Sequence, residues 1–197
     1  MAAAVNNSDE VIITKGKADG YIFRAKKGTA FTELKDPSVA LPEAFRGLGY
    51  ITEDGITESF SMDSEEKKDM NGTTVKVLRT SRSKSYKLTL MQTNAETLKV
   101  VYGDDNVTTD NTEIRSVIDN AKGTADSLYA LWFITGETET EIEYTRVFIV
   151  NGSISEVGDI VWLGTDIKKY EITIAAQPDE KGNTAYMYTK KVKKTNV

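Results

Sequence analysis

The chain of 197 residues contains no cysteine and no histidine. Without cysteine there is no disulfide framework, no thiolate nucleophile and no cysteine-based zinc or iron–sulfur site. Without histidine, the commonest general base near neutral pH and the commonest metal ligand are missing. A long hydrophobic run is absent too. The longest, 128–134, is strand-sized and far short of a membrane span. The opening Met1-Ala2-Ala3-Ala4-Val5-Asn6-Asn7 lacks the basic and apolar regions of a signal peptide, so a soluble chain made in a cytoplasm, with no membrane partner, is expected. Nor is there an excess of positive charge. The net charge is −5 and the pI near 5.0, which argues against a protein that grips nucleic acid through a basic face.

Catalytic and ligand motifs are scarce. No glycine-rich loop is followed by Lys-Ser or Lys-Thr, and no serine sits in a nucleophile elbow. Asp104-Asp105-Asn106 resembles the start of a calcium loop, but Thr109 stands at position six and Arg115 at position twelve, where Gly and Glu are required. A polar helix-exit turn accounts for these residues. Carboxylates, lysines and tyrosines keep acid–base chemistry open, yet no pair stands out. No catalytic, cofactor-binding or metal-ligating residue is nominated, no cofactor is expected, and the chain is read as a non-enzyme.

What remains is an ordinary globular balance, 39% hydrophobic and 28% charged, enough for one core. The pattern is mostly β. Strand signals occur at 21–25, at Tyr50-Ile51 up to the Asp54-Gly55 turn dipeptide, at 56–62, 73–80, 84–92, 128–135, 139–150, 159–163, 168–176 and 186–189. The run 128–135 is continuously apolar, as in a strand covered on both faces. One helix is expected over 93–102, with Thr93 and Glu96 at capping-box spacing, Leu98, Val101 and Tyr102 on one face, and Gly103 as terminator. The expected fold is mainly β: a sandwich or barrel of two packed antiparallel sheets with one flanking α-helix. The chain divides into an N-terminal arm (1–20), a β domain (21–189) with a long loop at about 53–72, and a basic C-terminal tail (190–197).

Three charged segments are candidate interaction sites. Between Glu53 and Met70 lie seven acids, Glu53, Asp54, Glu58, Asp63, Glu65, Glu66 and Asp69, against two lysines, an excess equal to the net charge of the chain. A solvated loop explains this on its own; a protruding loop that meets a partner subunit is the functional reading. The tail carries Lys190, Lys191, Lys193 and Lys194. It is either a free end or a partner for the acidic segment of another copy. Exposed pairs of this kind contribute only about 0–1 kcal/mol each, so they would steer docking. Glu137, Glu139, Glu141 and Glu143 recur every second residue and would share one face of a strand, either as a solvent face or as an acidic functional stripe.

One stretch goes beyond generic β pattern. Gly49-Tyr50-Ile51-Thr52-Glu53-Asp54-Gly55-Ile56-Thr57, then Arg79-Thr80 and Leu88-Thr89-Leu90, then the run from Glu96-Thr97-Leu98-Lys99 through Val101-Tyr102-Gly103-Asp104-Asp105-Asn106-Val107, resemble the major tail protein (tail tube protein) family of long-tailed, non-contractile bacteriophages. The resemblance covers 49–107 strongly and extends loosely to Thr189. It implies a structural virion protein of the phage tail, assembled in the host cytoplasm. Six copies form a ring whose inner sheets join into one β-barrel, and the rings stack into a tube. The implied partners are further copies of the chain, the tape-measure protein inside the tube, the tail terminator and distal tail proteins at its ends, and double-stranded DNA in transit during ejection without specific binding. Loops and arms join successive rings, which makes the 53–70 acids and the tail lysines inter-ring contact candidates. The Glu137–Glu143 stripe would be a lumen face that repels phosphate within a Debye length of about 8 Å. Tube proteins of contractile or phage-derived particles share the implied architecture. From other classes, a non-polymerising β-sandwich binding module and a hydrolase built on two carboxylates are the alternatives.

Overall fold

Tyr86, Leu88 and Leu90 alternate with Lys87 and Thr89, and Tyr170, Ile172 and Ile174 alternate with Glu171 and Thr173. In the computed structural model these two runs lie side by side in register, Tyr170 opposite Leu90 and Ile174 opposite Tyr86. All six apolar residues therefore point to one face, where none is more than 2% exposed. The structure describes residues 11–18, 20–110, 113–118 and 124–194.

Among these residues, eleven strands follow in chain order: β1 (Lys15–Gly16), β2 (Ile22–Lys26), β3 (Arg46–Gly47), β4 (Ile51–Lys68), β5 (Thr74–Leu90), β6 (Val107–Asp110), β7 (Glu113–Ser116), β8 (Ser127–Glu137), β9 (Glu141–Val157), β10 (Tyr170–Gln177) and β11 (Ala185–Lys193). Helix α1 (Ala95–Tyr102) separates β5 from β6. Nine strands make one antiparallel sheet in the order β3-β2-β8-β9-β10-β5-β4, with β1 added to β8 and β11 to β9; β6 and β7 form a separate ribbon. The expected class, mainly β with antiparallel sheets and a flanking helix, is the observed one.

Strand β9 organises the large sheet. Its first part, from Glu141 to Ile149, pairs with β11, and its second, from Asn151 to Val157, pairs with β10. Gly152 faces both Ser127 of β8 and Ala176 of β10, so β10 and β11 occupy the same edge of β9 in succession. The sheet folds over here. Ile22, Tyr129, Leu131 and Ile149 from one side meet Leu88, Leu90, Ile172 and Ile174 from the other, and α1 adds Leu98, Val100 and Val101. Each such side chain contributes about 1.5–3 kcal/mol through burial. As expected for a doubly covered strand, β8 also sends Leu128 and Ala130 to a second cluster with Ala25, Phe45 and Phe148 on its far face.

The 27–45 connection covers that second cluster, and a buried cation holds it. The Arg146 side chain is wholly buried, stacks 4.2 Å from the Trp132 ring, and donates to the carbonyls of Leu34, Asp36, Pro37 and Val39. Desolvation pulls its pKa down to about 10, so it stays charged at neutral pH. A second buried arginine, Arg24, donates to Ser127 and makes a two-pronged contact with Asp104. Those hydrogen bonds hold the Asp104 carboxyl below its ordinary range. The apparent calcium loop at 104–106 is a 3-10 turn, and its first aspartate is occupied by an arginine.

Several local expectations shift. The helix starts later than Thr93. Asn94 is the N-cap and accepts from the Thr97 N–H, while the Thr93 hydroxyl bonds the Tyr170 hydroxyl. Asn outranks Thr as a cap, and Thr93 has a better partner in the sheet. Glu96 pairs with Lys99 at 2.8 Å rather than closing a capping box. Gly103 does end the helix, at φ 98°, with its N–H on the Lys99 carbonyl. Asp54-Gly55 closes no turn: it lies in a bulge where the β4–β5 register shifts between Ile51 and Ile56. Residues 159–163 form no strand but belong to an open connection. The tail lysines Lys190, Lys191 and Lys193 lie within β11, paired to β9. Of the terminal segments, residues 1–10, Asp19 and 195–197 lie outside the described residues.

Candidate functional site

The polar segment at 53–72 is a hairpin arm, not a loop. β4 and β5 pair over nearly their whole length, from Ile56 opposite Leu88 to Lys68 opposite Thr74, whereas β10 accompanies β5 only between Leu90 and Ser85. The remaining eleven residues of β5, 74–84, run on with β4 alone, a projection of about 35 Å at the usual rise per residue. The polar composition marks the lack of a core beneath the strands, not a lack of strand. Asn71-Gly72 between two extended runs is the sequence feature that encodes the arm. The turn is fixed by the Asp69 carboxylate, which accepts from the N–H groups of Asn71 and Thr73, and by Gly72 at φ 80°, a left-handed conformation that glycine adopts without strain.

The arm carries its own counter-charges. Glu58 meets Lys84 at 2.6 Å, Asp63 accepts from Ser81, Glu66 from Thr74, Glu65 pairs with Lys67, and Glu66 lies 3.9 Å from Lys68. β5 also supplies Lys76, Arg79 and Arg82, with Arg82 stacked 4.4 Å from the Phe60 ring. The four basic residues at 74–84 of the returning strand thus offset most of the acidic excess at 53–70, with Lys84 placed against Glu58. Glu53 and Asp54 stand apart, in the bulge beside a cleft of about 750 Å³ bordered by Ile12, Phe133, Val147 and Met187.

The tail lysines have partners in their own chain. Lys190 contacts Asp36, Lys191 lies 3.5 Å from Glu143, Lys194 2.9 Å from Glu137, and Lys193 sits opposite Glu141. These contacts also resolve the glutamate stripe. Glu137 ends β8, Glu139 lies in the turn, and Glu141 and Glu143 open β9, so the four do not share one strand. Three of them face β11 or the N-terminal strand, since Lys15 adds a contact of 3.6 Å to Glu137.

Sequence reasoning missed the apolar residues that the arm exposes. Met62, Met70, Val75 and Val77 are all more than half exposed, and Met70 completely so. At the opposite end of the same strands, the 158–169 connection joins β9, at Val157 opposite Ile172, to β10, at Tyr170 opposite Leu90. It exposes Val161, Trp162, Leu163 and Ile167. Trp162 falls in the run 159–163, which reads as a short strand in sequence but is an open connection here, with the indole exposed.

The outward face of β4, β5, β10 and the end of β9 has a different chemistry. Opposite the core-facing set lie Thr57, Ser59, Ser61, Ser81, Ser83 and Ser85, with Thr173, Ala175 and Ser153 beyond them. Lys87 pairs on it with Glu171 at 2.9 Å. No group of three or more metal-ligating side chains occurs among the described residues.

The chain is similar to the anti-feeding prophage cap, a tube-terminating cap, with 10% identity, a TM-score of 0.42, and coverage of 95% of this chain and 100% of that one. It is also similar to a chain of the sheath–tube complex of an extracellular contractile injection system in its extended state, with 12% identity, a TM-score of 0.37, and coverage of 81% and 98%. No curated protein matches. The family model described as phage tail tube protein matches residues 4–197, nearly the whole length, and the chain belongs to that family.

Proposed function

We propose that the chain is the repeating, non-catalytic subunit of a tail tube, in which rings of six copies stack around the tape-measure protein and later conduct double-stranded DNA. The tail is read as non-contractile, on the resemblance of the 49–107 segment. Terminator and distal tail proteins cap the tube, and assembly takes place in the host cytoplasm. The observation that carries this reading is the β4–β5 arm. A two-stranded hairpin is marginally stable alone, yet this one extends about 35 Å beyond its own sheet and exposes Met62, Met70, Val75 and Val77. Such a surface calls for another molecule.

The open edges support ring closure. Among the described residues, the outer edge of β4 has no strand partner, and β9 beyond Gly152 is paired only to β10. Free edges invite pairing with another chain. Joining β4 of one copy to the end of β9 in the next extends the sheet in a head-to-tail, closing manner. For the lumen we favour the hydroxyl face over the glutamate stripe. Its small side chains and neutralised Lys87–Glu171 pair offer DNA little to grip, whereas the stripe is held by Lys15, Lys191 and Lys194 within the chain. The inter-ring role of Glu53, Asp54 and the arm acids is retained as steering.

Negative-stain microscopy of the purified chain and of a variant with 64–80 replaced by Asn-Gly tests the reading. Tubes or rings are expected from the first, and rings or single copies without tubes from the second. A strict monomer at high concentration for the intact chain, or normal tubes from the trimmed one, overturns it.

A further inference from the structure

We infer that the 158–169 connection, centred on Trp162, is the seat for the hairpin tip of a second copy in the neighbouring ring. This rests on the tube reading and adds to it the receiving surface. The argument begins with direction. The arm leaves the sheet at the end marked by Ser85 and Ala175, and the 158–169 connection lies at the end marked by Leu90 and Tyr170. The two surfaces therefore sit at opposite ends of the same strands. In any head-to-tail stack every copy points the same way. A tip that runs ahead of one copy meets the trailing end of the next, and that end carries Trp162.

The chemistry of the two surfaces matches. The connection presents Val161, Trp162, Leu163 and Ile167, with Trp162 77% exposed. The arm presents Met62, Met70, Val75 and Val77. Neither set reaches the core of its own chain. Exposed apolar residues gathered in one patch mark interaction sites, and tryptophan is the residue most enriched among those that dominate binding energy. Methionine suits the opposing role, because its thioether packs well against an aromatic edge and adapts to an irregular seat. Lys168 holds the indole with its Nζ 3.3 Å from the ring centroid, so the ring is oriented before a partner arrives. The rival seat is the cleft bordered by Ile12 and Met187, which also reaches the trailing end at Ile51, opposite Leu90, but mixes Glu53, Asp54, Glu143 and threonines with its apolar residues and presents no tryptophan.

The chain's lack of cysteine makes the test clean. Met70→Cys, Leu163→Cys and Met187→Cys variants are assembled in pairs and treated with a short thiol-to-thiol cross-linker, with assembly followed by microscopy. The Met70→Cys and Leu163→Cys pair is expected to give covalent dimers in tubes and none in dilute monomer. Met70→Cys with Met187→Cys is expected to give none. Trp162→Ala is expected to keep the melting temperature and to raise the concentration needed for stacking on the order of tenfold. Tubes in which Met70→Cys links to Met187→Cys, or to neither position, overturn this inference and leave the tube reading intact. An intact chain that forms neither rings nor tubes overturns both.

Discussion

Within β5, Tyr86, Leu88 and Leu90 are at most 2% exposed, while Val75 and Val77 of the same strand are more than half exposed. The ladder to β4 runs through both regions. In the body, that ladder is one layer over a core, and burial holds it. In the arm, it stands on cross-strand pairs alone, Glu58 with Lys84, Phe60 with Arg82 and Asp63 with Ser81, each worth roughly 0.2–1 kcal/mol. One strand thus serves two purposes. The body fixes where the arm begins and which way it points, and the arm carries surfaces that only another molecule can cover. Stability and assembly should accordingly be separable by mutation.

The largest effect on stability is expected in the body. Ile172 is fully buried between the two halves of the folded sheet, and Ile172→Ala should cost about 2–5 kcal/mol, read as a fall in urea midpoint and melting temperature. Arg146→Ala comes next. It removes the donor shared by four carbonyls of the 34–39 segment and should cost about 3 kcal/mol, the range for leaving buried polar groups unpaired. Replacing 64–80 by Asn-Gly, by contrast, should change the unfolding free energy by less than about 0.5 kcal/mol while removing stacking. A trimmed chain that melts well below the intact one would break the division between body and arm.

How much of this division was legible in the sequence follows from the same physics. Core strands announce themselves by period-two burial at 84–92 and 168–176, and by an unbroken apolar run at 128–135, where both faces are covered. The helix was found from Leu98, Val101 and Gly103, although its cap lay one residue later, because the side chain that Thr93 bonds comes from β10, distant in sequence. The arm carries strand signals at 56–62 and 73–80, which the structure bears out, but the 53–72 stretch reads as a long loop because nothing beneath it demands apolar alternation. Its register comes from the Asn71-Gly72 turn and the partner strand. The acids at 53–70 look unopposed for a related reason: the basic residues Lys76, Arg79, Arg82 and Lys84 belong to the returning strand, and only folding brings that strand alongside and Lys84 against Glu58. Arg146 gave no sign of burial, since nothing local predicts that a charged residue in an alternating strand will be covered by a connection more than a hundred residues earlier.

A smaller effect sharpens the helix end of the body. Asn94→Ala removes the acceptor for the Thr97 N–H and should cost about 1 kcal/mol, while Thr93→Ala, which spares the cap, should cost less. Equal losses would return the capping role to Thr93.

The smallest effect lies where the body meets its C-terminal strand. Hydrogen bonds from Lys190 and then Ser38 lower the Asp36 pKa to about 2, against an ordinary 3.8. A carboxyl whose pKa is depressed by folding stabilises the native state fully above the unfolded value, and that contribution is lost as pH falls from about 4 through about 2. The pair is at the surface, so screening keeps the contribution small. Carboxyl titration by NMR should place Asp36 near its depressed value in the intact chain, and Lys190→Ala should move it up towards 3.8. The trimmed chain should titrate like the intact one, because Asp36 and Lys190 both belong to the body and neither contacts the arm. An Asp36 pKa that rises when 64–80 is removed would show that the arm and the body are energetically coupled after all, and the separation of stability from assembly would fail at its most sensitive point.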